Sequence, residues 1–133
     1  MFLAGRKSRS SFTGITFAGT GQNLDTGCKV VLGAPDTTAT VETKSISKGG
    51  GISTFRSSIV ATPAAEGSAA SVSCQSLMLD DISRSDTIPA MDIRAKNVDI
   101  GHEATIGRIG DDKIFYLMSR GTYAFHLLHT SWR

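Results

Sequence analysis

Proline and cysteine are scarce in this 133-residue chain, with three prolines and two cysteines, Cys28 and Cys74. Two cysteines do not make the disulfide framework of a small secreted scaffold, so free thiols are expected. No CxxC pair is present, which removes the usual knuckle of a structural zinc site. No apolar run approaches the roughly 18 to 20 residues that a membrane-crossing helix needs. The opening MFLAGRKSRSS lacks the basic-then-apolar order of a secretory leader. A cytoplasmic protein is the expectation. There is no G-x-S-x-G elbow and no G-x-x-x-x-G-K-[ST] loop, so Gly19-Thr20-Gly21 and Gly49-Gly50-Gly51 read as turns and flexible corners rather than phosphate cradles. Basic residues are scattered apart from Arg6, Lys7 and Arg9, and the net charge is only +2. Neither nucleic acid nor a membrane is an expected partner. The length fits one domain, or a piece of a larger one, with enough chain to bury a core without staples.

What is present is small residues and alternation. Glycine occurs 14 times, and helix formers are sparse before residue 110. Apolar and polar residues alternate over Thr40–Ile46, Ser53–Val60, Ala70–Leu79, Ile88–Ile93 and Val98–Ile109, the period of half-buried strands. No tight hairpin dipeptide joins them, which argues against a simple meander. Either a sandwich or a solenoid of stacked parallel coils accommodates such segments, and periodicity alone leaves both open. The linker Thr62–Ser68 has the composition of a coil corner. One helix is expected from 111 to 121, with Gly110 or Asp111 at its start and Gly121 at its stop. Ile114, Phe115, Leu117 and Met118 would give it one apolar face, packed as a cap on the end of the strand stack. The final TYAFHLLHTSWR has no acidic residue and breaks the pattern.

Three residues could carry chemistry. Cys74 lies in SVSCQSLMLDD, where Val72, Cys74 and Ser76 share one strand face and Ser73, Gln75 and Leu77 the other. A free cysteine is by default a small buried hydrophobe, whereas reactivity needs a thiolate. His102 and Glu103 are adjacent and so face opposite ways on a strand. Only one of them can share a face with Cys74 unless a bulge at Gly101 re-aims the other. Thiol, imidazole and carboxylate form a ligand set for iron, zinc or a sulfur intermediate, but three ligands do not close a structural zinc site. Cys28, in GQNLDTGCKVV, reads as structural. The carboxylates of Asp80 to Asp86 read as turn formers and caps.

The segments GITFAGTGQNLDTGCKVV (14–31), TTATVETKSISKGGGISTFRSSI (37–59), SVSCQSLMLDDISRSDTIPAMDI (71–93) and GHEATIGRIGDDKIFYLMSRG (101–121) resemble the SufB/SufD family, scaffold subunits of the SUF iron–sulfur cluster assembly system. The runs DTIPAMDI, HEAT and FYLMSRG, in that order, carry the specificity. The resemblance implies an all-β fold, a right-handed parallel β-helix with a short C-terminal capping helix. The expected organisation is an N-terminal tail (1–13), a β-helix core (14–110), the capping helix (111–121) and an atypical C-terminal tail (122–133).

It further implies a non-enzymatic scaffold in which Cys74 accepts sulfur or ligates a transient iron–sulfur cluster, with His102 and Glu103 completing the set near a subunit interface. The implied partner is a second copy or a SufB/SufD-type subunit. A SufC-type ATPase docks on helices that this chain is expected to lack, as it is expected to lack the family's N-terminal domain. Gln75 and Gly101 depart from SufB-type chains, which often carry Asp and Glu there, so B-like and D-like both stay open. The alternative reading is a purely structural β-solenoid that pairs with another chain and does no cluster chemistry. A thiol- or metal-dependent enzyme is disfavoured by the missing ligands.

Overall fold

Alternation at period two builds the molecule. A computed structural model describes residues 1–120. After β1 (Phe2–Leu3) come seven ten-residue strands: β2 (Arg9–Ala18), β3 (Asn23–Leu32), β4 (Thr38–Ser47), β5 (Ile52–Ala61), β6 (Ala69–Met78), β7 (Arg84–Ile93) and β8 (Asp99–Arg108). All neighbours pair in parallel, in two four-stranded sheets of order β1-β3-β5-β7 and β2-β4-β6-β8. Consecutive strands therefore lie in opposite sheets and the chain coils. Arg9 pairs with Thr38, Thr38 with Ala69 and Ala69 with Asp99, so each coil takes about thirty residues, a length typical of stacked repeats. This is a parallel β-solenoid of about four turns, and the sandwich is excluded.

Residues facing the bore form rows that run from coil to coil. Ala39 and Ala70, Val41 and Val72, Val30 and Ile59, and Leu32 and Ala61 stack in register and are buried. Each fully buried Val, Leu or Ile stabilises the fold by roughly 1.5 to 3 kcal/mol relative to exposure. The corners need left-handed backbone. Lys7 (φ 61°), Asp36 (φ 56°), Gly67 (φ 72°) and Asn97 (φ 53°) occupy one corner of successive coils, a region where Asn, Asp and Gly are favoured. The Thr62–Ser68 linker is such a corner. There Ser68 Oγ accepts from the Thr37 amide and donates to the Ala34 carbonyl, with both side chains fully buried.

Three sequence expectations change. Residues 1–13 are not merely a tail, because β1 and the start of β2 lie within them. Their alternation is masked: β2 turns Ile15 and Phe17 outward, 80% and 54% exposed, and directs the small or polar Ser10, Gly14 and Thr16 toward the bore. The Gly49–Gly51 corner is held in place, since Asp80 accepts from the Gly49 amide and Ser83 Oγ from the Gly50 amide. A Cβ on Gly51 would sit 2.3 Å from the Ala18 carbonyl oxygen, so this close approach of two coils requires glycine. Finally, α1 (Asp111–Ser119) forms as expected, but two side chains assigned to its packing face, Phe115 and Met118, remain 75% and 49% exposed. A helix satisfies its own backbone and adds no rung to a sheet, so side-chain packing alone could hold it there. Gly121 and the 122–133 tail lie outside the described residues.

Candidate functional site

Cys74 sits in the third coil, on β6, and faces the bore. Its row in register is Gly14, Thr43, Cys74 and Ala104. The next row on the same face is Phe12, Val41, Val72 and His102. His102 on β8 therefore stacks on Val72, and its ring reaches across so that Nε2 lies 3.7 Å from Cys74 Sγ. The thiol is buried at 3% exposure, the imidazole is half-buried, and β8 is the last strand of its sheet.

Glu103 is not part of this pair. It lies in register with Ser73 on the outer face and is exposed. Strand alternation holds through Gly101 without a bulge, so thiol and imidazole meet while the carboxylate points outward. Among the described residues no group of three His, Cys, Asp or Glu side chains converges. The arrangement offers one soft sulfur donor and one imidazole nitrogen, a suitable pair for iron that leaves coordination positions to be filled from elsewhere.

On its other side Cys74 borders a cavity of about 210 Å³ inside the solenoid. Thr43, Ser45, Ser53, Ser76 and Thr87 contribute to its lining. Cys74 thus stands where the bore changes character, with Val72, Val41 and Ile59 packed behind it and hydroxyls ahead. Sequence reading missed these hydroxyls because the coil length, which sets Thr43 beside Cys74, is not visible in any local pattern. Ser76 was legible, two residues along the same face.

The remaining candidates are structural. Cys28 faces inward on β3 beside Ser57, and burial pushes its thiol pKa up, away from the reactive form. Asp80 accepts from the Ser83 hydroxyl and from the Gly49, Ser83 and Ile82 amides, which hold its carboxyl below the usual range. Asp86 pairs with Arg84. No helix among the described residues is long and apolar enough to cross a membrane.

Comparison with known proteins places this geometry in a family. The chain is 40% identical over 121 residues to an iron-sulfur cluster assembly SufBD family protein of Mycobacterium bovis, covering 91% of the chain and 14% of that protein. It is 40% identical over 119 residues to the iron-sulfur cluster assembly protein SufB of Bacillus subtilis, covering 90% of the chain and 26% of that protein. A SufBD family protein of Staphylococcus saprophyticus matches at 40% over 119 residues, with the same coverage of 90% and 26%. The chain thus spans about a quarter or less of the length of these relatives. The family model described as SUF system FeS cluster assembly, SufBD core domain, matches residues 1–124. The chain belongs to the SufBD core family of the SUF system for iron–sulfur cluster assembly.

Proposed function

We propose that this solenoid is a non-catalytic, cytoplasmic scaffold on which an iron–sulfur cluster is assembled as cargo, with Cys74 as sulfur acceptor or iron ligand and His102 as its companion. The observation that carries the reading is the 3.7 Å approach of Cys74 Sγ to His102 Nε2 on the bore-facing side of adjacent coils, within a SufBD core. Thiolate is the soft ligand that such clusters take, and imidazole serves as a second donor.

Two donors from one chain are too few, so the set is completed across an interface. The last coil supports this, because its inward-facing Met91, Ile93 and Ile106 are 44%, 48% and 49% exposed and, among the described residues, no further strand pairs with β7 or β8. A second copy or a related SufB/SufD-type subunit, seated on this apolar end, would bring further ligands beside His102. Glu103, on the outer face, would serve such a partner rather than its own Cys74.

Anaerobic reconstitution with ferrous iron and sulfide, counting iron and acid-labile sulfide per chain, tests the assignment. Cys74→Ala is expected to lose most of the cluster. Equal incorporation by the variant and the parent overturns the assignment and leaves the purely structural pairing module, which would still form dimers in sedimentation.

A further inference from the structure

Two hydroxyls that line the same cavity as Cys74 lack hydrogen-bond partners among the described residues. Thr43 and Ser53 are 7% and 2% exposed and line the internal cavity, yet neither side chain makes a hydrogen bond among the described residues. Buried hydroxyls normally find a partner, because an unmade bond forfeits their hydration without replacement. Ser76 offers a third donor. Its oxygen accepts from Ser45 Oγ at 2.9 Å, which leaves its own proton free.

Thr43 is the cross-strand neighbour of Cys74, and Ser76 lies two residues along the same face. The flanking members of the Cys74 row, Gly14 and Ala104, are small and leave the thiol side of the bore open. Asp86, ion-paired with Arg84, and Lys44 also line the cavity, while the hydroxyls of Thr43 and Ser76 on the Cys74 side have protons to offer an anion bonded to that sulfur.

We propose that this chamber seats the outer sulfur of a Cys74 persulfide, with Thr43 and Ser76 donating to it and Ser53 closing the opposite wall. The inference rests on Cys74 being the sulfur acceptor and adds what holds the accepted sulfur. In the transfer, the Cys74 thiolate attacks the outer sulfur of a persulfide or polysulfide donor. The donor's S–S bond breaks, its electron pair leaves on the donor thiolate or shortened polysulfide, and a new bond forms to Sγ. The proton on the transferred sulfur is released to water, and no net oxidation occurs. The resulting Sγ–S⁻ group would be unstable among the Val41 and Val72 side chains alone, but hydrogen bonds to a charged acceptor are roughly twice as strong as neutral ones. Thr43 and Ser76 are thus positioning residues acting on the loaded sulfur.

The test uses the chain carrying Cys28→Ala, so that Cys74 is its one cysteine. It is loaded with inorganic polysulfide and the persulfide is followed by intact mass. The persulfide half-life against a fixed thiol reductant is expected to fall about tenfold in Thr43→Val and in Ser76→Ala, consistent with losing one charge-assisted bond. Thr43→Ser, which restores the hydroxyl, should recover the parent lifetime. Alkylation of the unloaded thiol should be the same in all variants, which separates loss of the cradle from loosened packing. Lifetimes that ignore Thr43 and Ser76, or a parent that takes no sulfur on Cys74, overturn the proposal. Should reconstitution require Cys74 while persulfide lifetime ignores the hydroxyls, the cradle fails and the scaffold reading stands. The converse result sinks the scaffold reading and leaves the cradle.

Discussion

Cys74 Sγ and His102 Nε2 lie 3.7 Å apart although neither residue pairs directly with the other: Cys74 is in register with Ala104 and His102 with Val72. The contact is a diagonal one across two stacked strands, within reach of a long ring and out of reach of Glu103 on the opposite face. Its consequence for metal binding is direct. In the isolated chain, Co(II) titrated anaerobically and read by its thiolate absorption should bind at least about tenfold more weakly to His102→Ala, since perturbing even the orienting partner of a ligand costs that much. Glu103→Ala should bind as the parent does. Equal losses in both variants would show that the carboxylate reaches the thiol within one chain.

The dry half of the bore carries the stability. Ile59 is 2% exposed and packs within the cluster of Val30, Val41 and Val72. Ile59→Ala should cost about 2 to 5 kcal/mol through lost burial and an unfilled cavity, measured by urea unfolding. A cost below about 1 kcal/mol would mean that the coils collapse to fill the space.

A buried corner network offers a second energetic test. Thr37 and Ser68 hydroxyls lie 2.8 Å apart, and Ser68 Oγ is the acceptor for the Thr37 amide. Ser68→Ala strands that amide, and should destabilise by about 1 to 3 kcal/mol despite removing a single oxygen. A neutral effect in urea unfolding would require water to enter the corner.

Asp80 makes one corner acid-sensitive. Four hydrogen bonds, the largest effect from the Ser83 hydroxyl and the next from the Gly49 amide, hold its folded pKa below the ordinary value. Its stabilisation is therefore complete above the unfolded carboxylate pKa of about 3.9 and is lost as pH falls further, through the folded value. Asp80→Asn should be less stable than the parent at pH 6, with the difference shrinking below about pH 4. A difference that stays constant from pH 6 to pH 3 would rule out the linkage.

Much of this was readable without coordinates. Alternation located the cores of β4, β5, β6 and β8 and placed Val72, Cys74 and Ser76 on one face, because a strand's side-chain period is local and fixed at two. The same rule showed that His102 and Glu103 diverge. It failed on β2, where Ile15 and Phe17 face outward and the bore side carries Gly14 and Thr16. The family resemblance, not periodicity, selected a solenoid over a sandwich.

By itself, then, the sequence determined which residues can face inward, where the corners fall and which side chains could bear chemistry. Those are properties of a few consecutive residues. Only the tertiary structure decided that Thr43 stands beside Cys74, that His102 completes the pair from the next coil, and that hydroxyls unpartnered among the described residues line the cavity that the thiol borders. The physical reason is register: stacking brings together residues about thirty apart, and a local pattern with period two carries no information about that offset.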